Sequence, residues 1–446
     1  MSDSGFSFSH DRLREIATRV VDLARARGAD ACETEVSEGI GHTSSVRKSE
    51  VDTIEYNRDK GVGITVYVGQ SRGHASTSDF GEAALASTVE AALSIARYTA
   101  PDPAAGLPEA ALLARDWPDL DLFHPWPIEV AQSIELARRC EQAAYDAGPQ
   151  ISNSEGASVS TQQAHFVLAN SLGFLGGYAS SRHSVSCSVI AGEGDAMQRE
   201  FWYDSRRDAA DLDSVEAIGR RAGERALQRL GARKIATCEV PVLFEAPVAL
   251  TLLGNFTHAV SGGALYRKSS FLLDSLGQQV FSPVVSISER PHERKVFGSA
   301  PFDSEGVATH TRDVVADGML QGYFLSSYTA RKLGMHSTGN AGGSHHLVMT
   351  GGDEDFDALL RRMGRGLLVT ELLGQGVNYV TGDYSRGAAG YWVENGQIQH
   401  AVEEVTIAGN LREMFRNIVA VGNDALPRSA KRCGSVLIER MKIAGS

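Results

Sequence analysis

The segment YWVENGQIQHAV (391–402) joins two runs that favour β-strand through the dipeptide Asn395-Gly396. Asn-Gly suits the type I′ turn of a two-residue β-hairpin, because both central residues of that turn need a positive φ. Asp317-Gly318 gives the same signal between two other short runs of this kind. The C-terminal half is therefore expected to contain antiparallel hairpins.

Glycine density and two apolar segments also characterise this half of the chain. Twenty-six of the 46 glycines lie in residues 251–446, which indicates many turns and close backbone approaches. A helix is expected over residues 356–373, ending near Gly374 and Gly376. Another helix is expected to carry an apolar row at i,i+4 spacing, made of Val248, Leu252, Phe256 and Val260.

The N-terminal half shows two successive units of helices and short strands. Helices are expected from Ser9 to Gly28, over 83–98 after a capping box of Asp79 and Glu82, from Pro127 to 147, and from Asp213 to Gly231. Short strands separated by turns are expected at 33–38, 43–46, 53–56, 63–68, 157–168, 172–178 and 184–190. These patterns predict an α+β protein of two domains, with N-terminal helices packed on antiparallel sheets over residues 1–235 and a Gly-rich, β-dominated C-terminal domain over residues 236–446.

The composition disfavours several classes of protein. Forty-three Lys and Arg against 55 Asp and Glu give a net charge of −12, so neither nucleic acid nor a membrane surface is expected as a partner. No run approaches about 18 apolar residues, and the N-terminus lacks the basic and apolar regions of a signal peptide. Five scattered cysteines without a C-x-x-C pair indicate neither a disulfide framework nor a thiolate zinc cluster, so we expect a cytoplasmic location.

The densest histidine cluster is GMHSTGNAGGSHH (334–346), which contains His336, His345 and His346. Three imidazoles on a glycine-rich loop could bind a metal ion, but the spacing matches no closed zinc pattern. A glycine-rich turn that carries polar residues is the favoured interpretation.

Three further patterns have a chemical and an ordinary structural interpretation. Asp303 and Glu305 could share a proton, a cation or an amine on one side of a strand, but Asp-Ser before a glycine is also turn chemistry, which we favour. His292-Glu293 has no second histidine nearby, which favours a solvated loop over a zinc helix. The basic run in residues 220–234 has glutamate partners at helical spacing and is expected to form a solvated helix face.

Longer segments resemble one family. In the C-terminal half they are SGGALYRKSSFLLDSLGQ (261–278), PFDSEGV (301–307), TARKLGMHSTGNAGG (329–343), TELLGQGVNYVTGDYSRGAAGYWVENG (370–396) and EEVTIAGNLREMFRNIVAVGND (403–424). Upstream they are VDTIEYNRDKGVGITVYVGQSRGHASTSDF (51–80) and ERALQRLGARKI (224–235). Together they are similar to the TldD/PmbA family, specifically its PmbA (TldE) branch, over nearly the whole chain.

The resemblance implies a cytoplasmic metallopeptidase system, historically called a modulator of DNA gyrase, in which TldD and TldE subunits pair and trim peptides and unfolded polypeptides. In the TldD branch a His-Glu-x-x-x-His helix and a later cysteine hold zinc. The corresponding stretch here is LLGNFTHAVSGGA (252–264), in which Gly254, Asn255 and Ala259 occupy the positions of the ligands and the base. His258 lies one residue from the second ligand position.

Three functional hypotheses follow. In the leading one, the chain has no catalytic residue, metal ligand or cofactor of its own and forms part of a groove that holds extended peptide for a TldD-type partner, which carries the zinc. Strand addition at a sheet edge would hold such a peptide regardless of its sequence. The alternatives are a self-sufficient metallopeptidase and a non-enzymatic binding protein that modulates gyrase. The metal site of such a peptidase would combine His258, His336, His345 and His346 with Asp303 or Glu305.

Two points stay open at the level of sequence. Alone, the chain could form a homodimer. Cys433 lies after the segment 403–424, and its spacing leaves undecided whether it matches the cysteine ligand of the family.

Overall fold

The structure is a computed structural model, and it describes residues 5–445. Its N-terminal strands are β1 (Ala31–Arg47), β2 (Glu50–Val68), β3 (Ser71–Thr77), β4 (Ile151–Asn170), β5 (Leu175–Ala191) and β6 (Gln198–Arg206). They form one antiparallel sheet in the order β3-β2-β1-β4-β5-β6.

Two long hairpins replace the seven short strands that the sequence predicts. β1 and β2 pair along their whole length, and the turn between them is Lys48-Ser49, with φ of 54° and 63°. Residues 39–42 and 57–62 are paired strand, so the turns expected there were wrong. Much of β2 faces solvent, and polar residues occupy such a strand without ending it.

Four helices pack on this sheet: α1 (His10–Ala26), α2 (Glu82–Tyr98), α3 (Val130–Tyr145) and α4 (Val215–Gln228). α1 and α2 bury one apolar cluster and α3 and α4 bury another. Ser9 caps α1 as predicted, because its hydroxyl accepts the Arg12 N–H at 3.1 Å. The capping box predicted for α2 was wrong: α2 starts after Gly81 without a side-chain cap, and Asp79 instead accepts the Gly81 N–H at 2.8 Å.

The C-terminal part contains two sheets. Its strands are β7 (Cys238–Phe244), β8 (Ser286–Glu289), β9 (Arg312–Ala316), β10 (Met319–Leu320), β11 (Leu347–Thr350), β12 (Gly366–Leu373), β13 (Asp383–Glu394), β14 (Gln397–Asn410), β15 (Ile418–Val421), β16 (Lys431–Arg432) and β17 (Val436–Ala444). One sheet has the order β14-β13-β12-β7-β17-β15 and the other β10-β9-β8-β11-β16. The helices are α5 (Ala246–Ala259), α6 (Gly262–Tyr266), α7 (Ser327–Leu333), α8 (Phe356–Met363) and α9 (Leu411–Arg416).

α5 lies in a core that both C-terminal sheets share. The two predicted hairpins are confirmed: Asp317-Gly318 has φ of 47° and 79°, and Asn395-Gly396 has 52° and 71°. The single helix predicted over 356–373 was wrong. α8 ends before Gly364, and the apolar run that follows is β12, a buried strand parallel to β7. Within residues 5–445, no helix is long and apolar enough to span a membrane.

Polar contacts join the N-terminal and C-terminal parts. The proline-rich segment after α2 comprises residues 101–127 and is held by α7. Asp102 accepts hydrogen bonds from the Tyr328 hydroxyl and the Lys332 Nζ, both at 2.8 Å. Arg331 donates to the backbone carbonyls of Ala104 and Gly106 at 3.0 Å. These contacts hold the proline-rich segment of the N-terminal part against α7 of the C-terminal part.

Candidate functional site

A groove runs between the N-terminal sheet and two C-terminal loops, 298–304 and 341–345. It consists of two adjoining cavities of about 580 and 500 Å³. Residues that line both cavities are Glu35, Ser37, Leu168 and Ser304. A concave surface of this size with several polar side chains is the default candidate for a binding site.

Asp303 orders one wall of the groove. Its Oδ1 accepts the backbone N–H groups of Glu305 (2.9 Å) and Val307 (3.0 Å), and its Oδ2 accepts that of Ala341 (2.9 Å). Burial raises the pKa of Asp303 to about 6. The predicted turn is therefore confirmed, and the Glu305 carboxylate has a different role, accepting the Ser327 N–H at 2.9 Å.

Glu33 extends from β1 into the same groove. Burial, with added repulsion from Glu305, raises the pKa of Glu33 to about 7, although the Tyr67 hydroxyl donates to its Oε1 at 3.1 Å. A carboxyl group that titrates near neutrality inside a groove is a functional-site candidate. No sequence motif marks Glu33, because its charged neighbours become close only in the folded chain.

His345 lines the groove as part of a polar network around Glu289. The backbone N–H and Nδ1 of His345 lie 2.8 and 3.1 Å from Glu289 Oε1, which also accepts from Asn340 Nδ2 at 2.7 Å. Arg312 Nε donates to Glu289 Oε2 at 2.8 Å. Burial opposes ionisation of Glu289, but hydrogen bonds from His345 and the charge of Arg312 keep its pKa below the usual range. The network therefore fixes the loop that carries His345.

The other histidines of the predicted cluster do not join His345. The side chain of His336 is 86% exposed, and its Nδ1 lies 3.6 Å from Glu109. His346 is buried, with Nε2 3.3 Å from Glu293. Across residues 5–445, no group of three or more His, Cys, Asp or Glu side chains is placed to hold a metal ion.

Gly254, Asn255 and Ala259, which the sequence resemblance places at the zinc-helix positions of the TldD branch, lie on α5. Gly254 has open space where a side chain would be. Asn255 Oδ1 accepts from the Tyr379 hydroxyl at 2.9 Å, and its buried Nδ2 has no partner among the described residues. Ala259 is fully buried, and the His258 ring packs on Tyr379 with centroids 3.9 Å apart. One imidazole and one amide are fewer donors than the three protein ligands of a catalytic zinc.

Two other residues considered as metal ligands from the sequence make local contacts. Cys433 is buried, its Sγ lying 3.1 Å from the Gly434 carbonyl oxygen and 3.5 Å from Met349 Sδ, and burial raises the pKa of its thiol. His292 lies on the predicted loop, with Nε2 3.0 Å from Thr309 Oγ1. Neither side chain lines the groove.

Sequence reasoning also missed Arg207 and Ser299, which line the same cavity of the groove. Arg207 follows β6 and Ser299 lies in a loop 92 positions later, so no spacing pattern connects them. Only the fold brings these two donors to one cavity.

The fold is that of the PmbA/TldA metallopeptidases. Family models of their domain 1, central domain and C-terminal domain match residues 32–96, 123–230 and 237–445. The chain belongs to the PmbA/TldD metallopeptidase family. It is 50% identical over 433 residues to metalloprotease PmbA of Escherichia coli O157:H7, covering 97% of this chain and 96% of that protein. A PmbA homologue of Haemophilus influenzae is 48% identical over 438 residues, covering 97% of this chain and 96% of that protein.

Solved structures of similar proteins have the same fold. A protein from Bacteroides thetaiotaomicron described as a modulator of DNA gyrase matches with a TM-score of 0.93 at 29% identity, covering 98% of this chain and 100% of that one. A protein from Thermotoga maritima, also described as a modulator of DNA gyrase, matches with a TM-score of 0.88 at 28% identity. The match covers 96% of this chain and 99% of that one. TldE from Thermococcus kodakarensis matches with a TM-score of 0.81 at 21% identity, covering 96% of this chain and 100% of that one. This match shows a likeness of fold alone.

Proposed function

We propose that this chain is the PmbA/TldE-type subunit of a metallopeptidase pair. It holds no catalytic zinc and forms part of the groove in which a TldD-type partner hydrolyses peptides and unfolded polypeptides. The observation that carries the proposal is the absence of donor side chains at Gly254 and Ala259 on α5. The zinc would belong to the partner.

The packing of α5 supports this assignment. Ala259 lies wholly inside the core, so a histidine at that position would overpack its surroundings. Asn255 holds Tyr379, which in turn covers His258. The helix therefore has a structural role in the C-terminal core that does not depend on a metal ion.

A free strand edge beside the groove supports peptide binding. β2 pairs with β3 only along residues 62–68, so within the described chain residues 50–61 have no strand on their outer side. Lys60 and Gly61, at the end of this free edge, line the groove. Backbone groups of such an edge can pair with an extended peptide whatever its sequence.

Co-expression with a TldD-type relative tests the proposal. Hydrolysis of a fluorophore-labelled unfolded polypeptide would be measured for each chain alone and for the pair, with zinc content determined by mass spectrometry. We expect hydrolysis by the pair, loss of that activity with a chelator, and zinc that purifies with the partner. Stoichiometric zinc and chelator-sensitive cleavage in this chain alone would falsify the proposal.

A double variant tests whether this chain has a metal site of its own. His258→Ala with His345→Ala removes two imidazoles that a metal site in this chain would need. We expect the zinc content of the pair to stay at the unmodified value. A loss of about one zinc per pair would instead indicate a metal site in this chain.

We also propose a domain boundary, a location and an oligomeric state for this chain. We place the boundary between the two domains at residues 235/236, after α4 and before β7. We propose a cytoplasmic location, and homodimers when the partner is absent. Size-exclusion chromatography with light scattering, with and without the partner, measures the last of these.

A further inference from the structure

Arg207 lines the groove and forms no ion pair with an acidic side chain of residues 5–445. It is fixed to β5, because its Nη1 donates to the Ser181 carbonyl at 3.1 Å and the Ser181 hydroxyl donates to the Arg207 carbonyl at 2.7 Å. Its Nε is buried and has no hydrogen-bond partner in the described part of the chain. The N–H groups of a guanidinium that face a cavity can donate charge-assisted hydrogen bonds to a carboxylate there.

Among the described residues, no carboxylate compensates the charge of Arg207. Burial lowers its pKa to about 10, and the neighbours that act on it electrostatically are Tyr178 and Arg182. The guanidinium groups of Arg207 and Arg182 lie 5.0 and 5.1 Å from the centre of the Phe297 ring. Arg207 stays protonated at neutral pH, so a bound anion would offset the cost of its desolvation.

Ser299 provides a second unused donor, two residues beyond Phe297. The residue is 3% exposed, and its hydroxyl has no hydrogen-bond partner among residues 5–445. It lines the same cavity as Arg207. A hydroxyl and a guanidinium group at one cavity are suitable donors for a carboxylate.

Apart from Lys60, the charged side chains of the groove away from Arg207 are acidic, which gives it a polarity. Glu35 and Asp303 line the cavity of Arg207, and Glu33 lines the adjoining one. Ser181 on β5, which holds Arg207, lies opposite Gln163 on β4, which lies opposite Ile40 on β1, so the basic end is about 23 Å along β1 from Glu33. A peptide that ends in a carboxylate at Arg207 and continues as a neutral or basic chain fits this polarity. An internal acidic side chain fits it less well, because the chain would continue beyond it in both directions.

We propose that Arg207 and Ser299 bind the C-terminal carboxylate of a peptide or unfolded polypeptide in the groove. The inference rests on the proposed function, since it names the part of the substrate that this subunit holds. The peptide then runs from Arg207 towards Glu33, with its amino-terminal side at the acidic end.

Direct binding to the full chain alone tests the site. The probe is a neutral pentapeptide of glycine, alanine and leucine with an N-terminal fluorophore, made as the free acid and as the C-terminal amide, and titrated by fluorescence anisotropy. We expect the acid to bind on the order of tenfold more tightly than the amide. Arg207→Gln should abolish this preference and Ser299→Ala should reduce it. Arg199→Gln, at an arginine of β6 that does not line the groove, should leave it unchanged.

Further peptides and Arg207 variants distinguish this proposal from its alternatives. Equal binding of acid and amide overturns the carboxylate site and leaves the proposed function intact, since hydrolysis by the pair is measured independently. An amide peptide with one internal aspartate that binds as tightly as the acid overturns the assignment to the C terminus. Arg207→Lys should keep part of the preference at an unchanged unfolding midpoint. If the preference and the midpoint fall together in both Arg207 variants, the residue is structural and the proposal is wrong.

Discussion

Glu33 illustrates how a single buried carboxyl makes stability depend on pH. Its folded pKa of about 7 exceeds the ordinary value of about 4.3, so between these values the folded chain binds a proton that the unfolded chain lacks. The free energy of unfolding therefore falls as the pH rises through this window. We expect Glu33→Gln to raise the free energy of unfolding at pH 8 by about 1–3 kcal/mol and to change it little at pH 4.

Denaturant titrations at the two pH values measure this effect. Glu55→Gln is the matched control, because Glu55 is exposed on the free edge of β2 and its removal should matter little at either pH. An equal gain at pH 4 and pH 8 would contradict the linkage. The result would also bear on the groove, because a site that retains a destabilising carboxyl sacrifices stability for function.

Individual residues also show where sequence reasoning reached its limit. The basic run at 220–234 was predicted to be a solvated helix face, but Arg225 and Arg229 are buried against Glu200 and Glu245. Helical spacing identifies neighbours within α4, whereas these carboxylates come from β6 and from the residue before α5. Turn chemistry such as that of Asp303 could be predicted because all but one of its hydrogen bonds are local.

At the scale of elements, close packing of helix backbones makes a sharp prediction. A Cβ added at Gly219 on α4 would lie 1.9 Å from the Cys140 carbonyl oxygen on α3, whereas one at Gly254 on α5 would meet nothing within 4 Å. We expect Gly219→Ala to destabilise the fold by about 2 kcal/mol or more, because α3 and α4 must separate. Gly254→Ala should stabilise it by up to about 1 kcal/mol through helix propensity. Thermal unfolding of the two variants measures the contrast, and a loss of stability in Gly254→Ala would show that the space beside α5 is needed.

Element prediction succeeded where the signal was local. Asn395-Gly396 and Asp317-Gly318 fixed two turns correctly, because the positive φ that they require follows from the residues themselves. β12 was mistaken for a continuation of α8, since a short apolar run has no period that separates a buried strand from a helix. Its pairing with β7, more than 120 positions earlier, decides between the two. The groove was unpredictable for the same reason, since its walls come from distant segments.

For the whole molecule, a buried ion-pair network joins the two parts. Arg225 on α4 binds both oxygens of Glu245, at 2.8 and 3.1 Å, and Arg229 bridges Glu200 (3.2 Å) and Glu371 on β12 (3.1 Å). Removing one partner of a buried pair leaves an uncompensated charge, which costs about 3–5 kcal/mol. This network can therefore couple the unfolding of the N-terminal and C-terminal parts.

We expect Arg225→Ala to lower the stability by about 3–5 kcal/mol and to split one calorimetric transition into two, because Glu245 then lacks its cation across the interface. Lys234→Ala is the matched control. Its ion pair with Glu404 also joins the parts, at 2.7 Å, but the two side chains are 51% and 66% exposed, so its loss should cost less than about 1 kcal/mol. A single, unshifted transition in Arg225→Ala would mean that the other contacts between the two parts, such as Arg229 with Glu371 and those of α7, hold the two walls of the groove together. In that case the groove would keep its width, and peptide binding by Arg225→Ala would equal that of the unmodified chain.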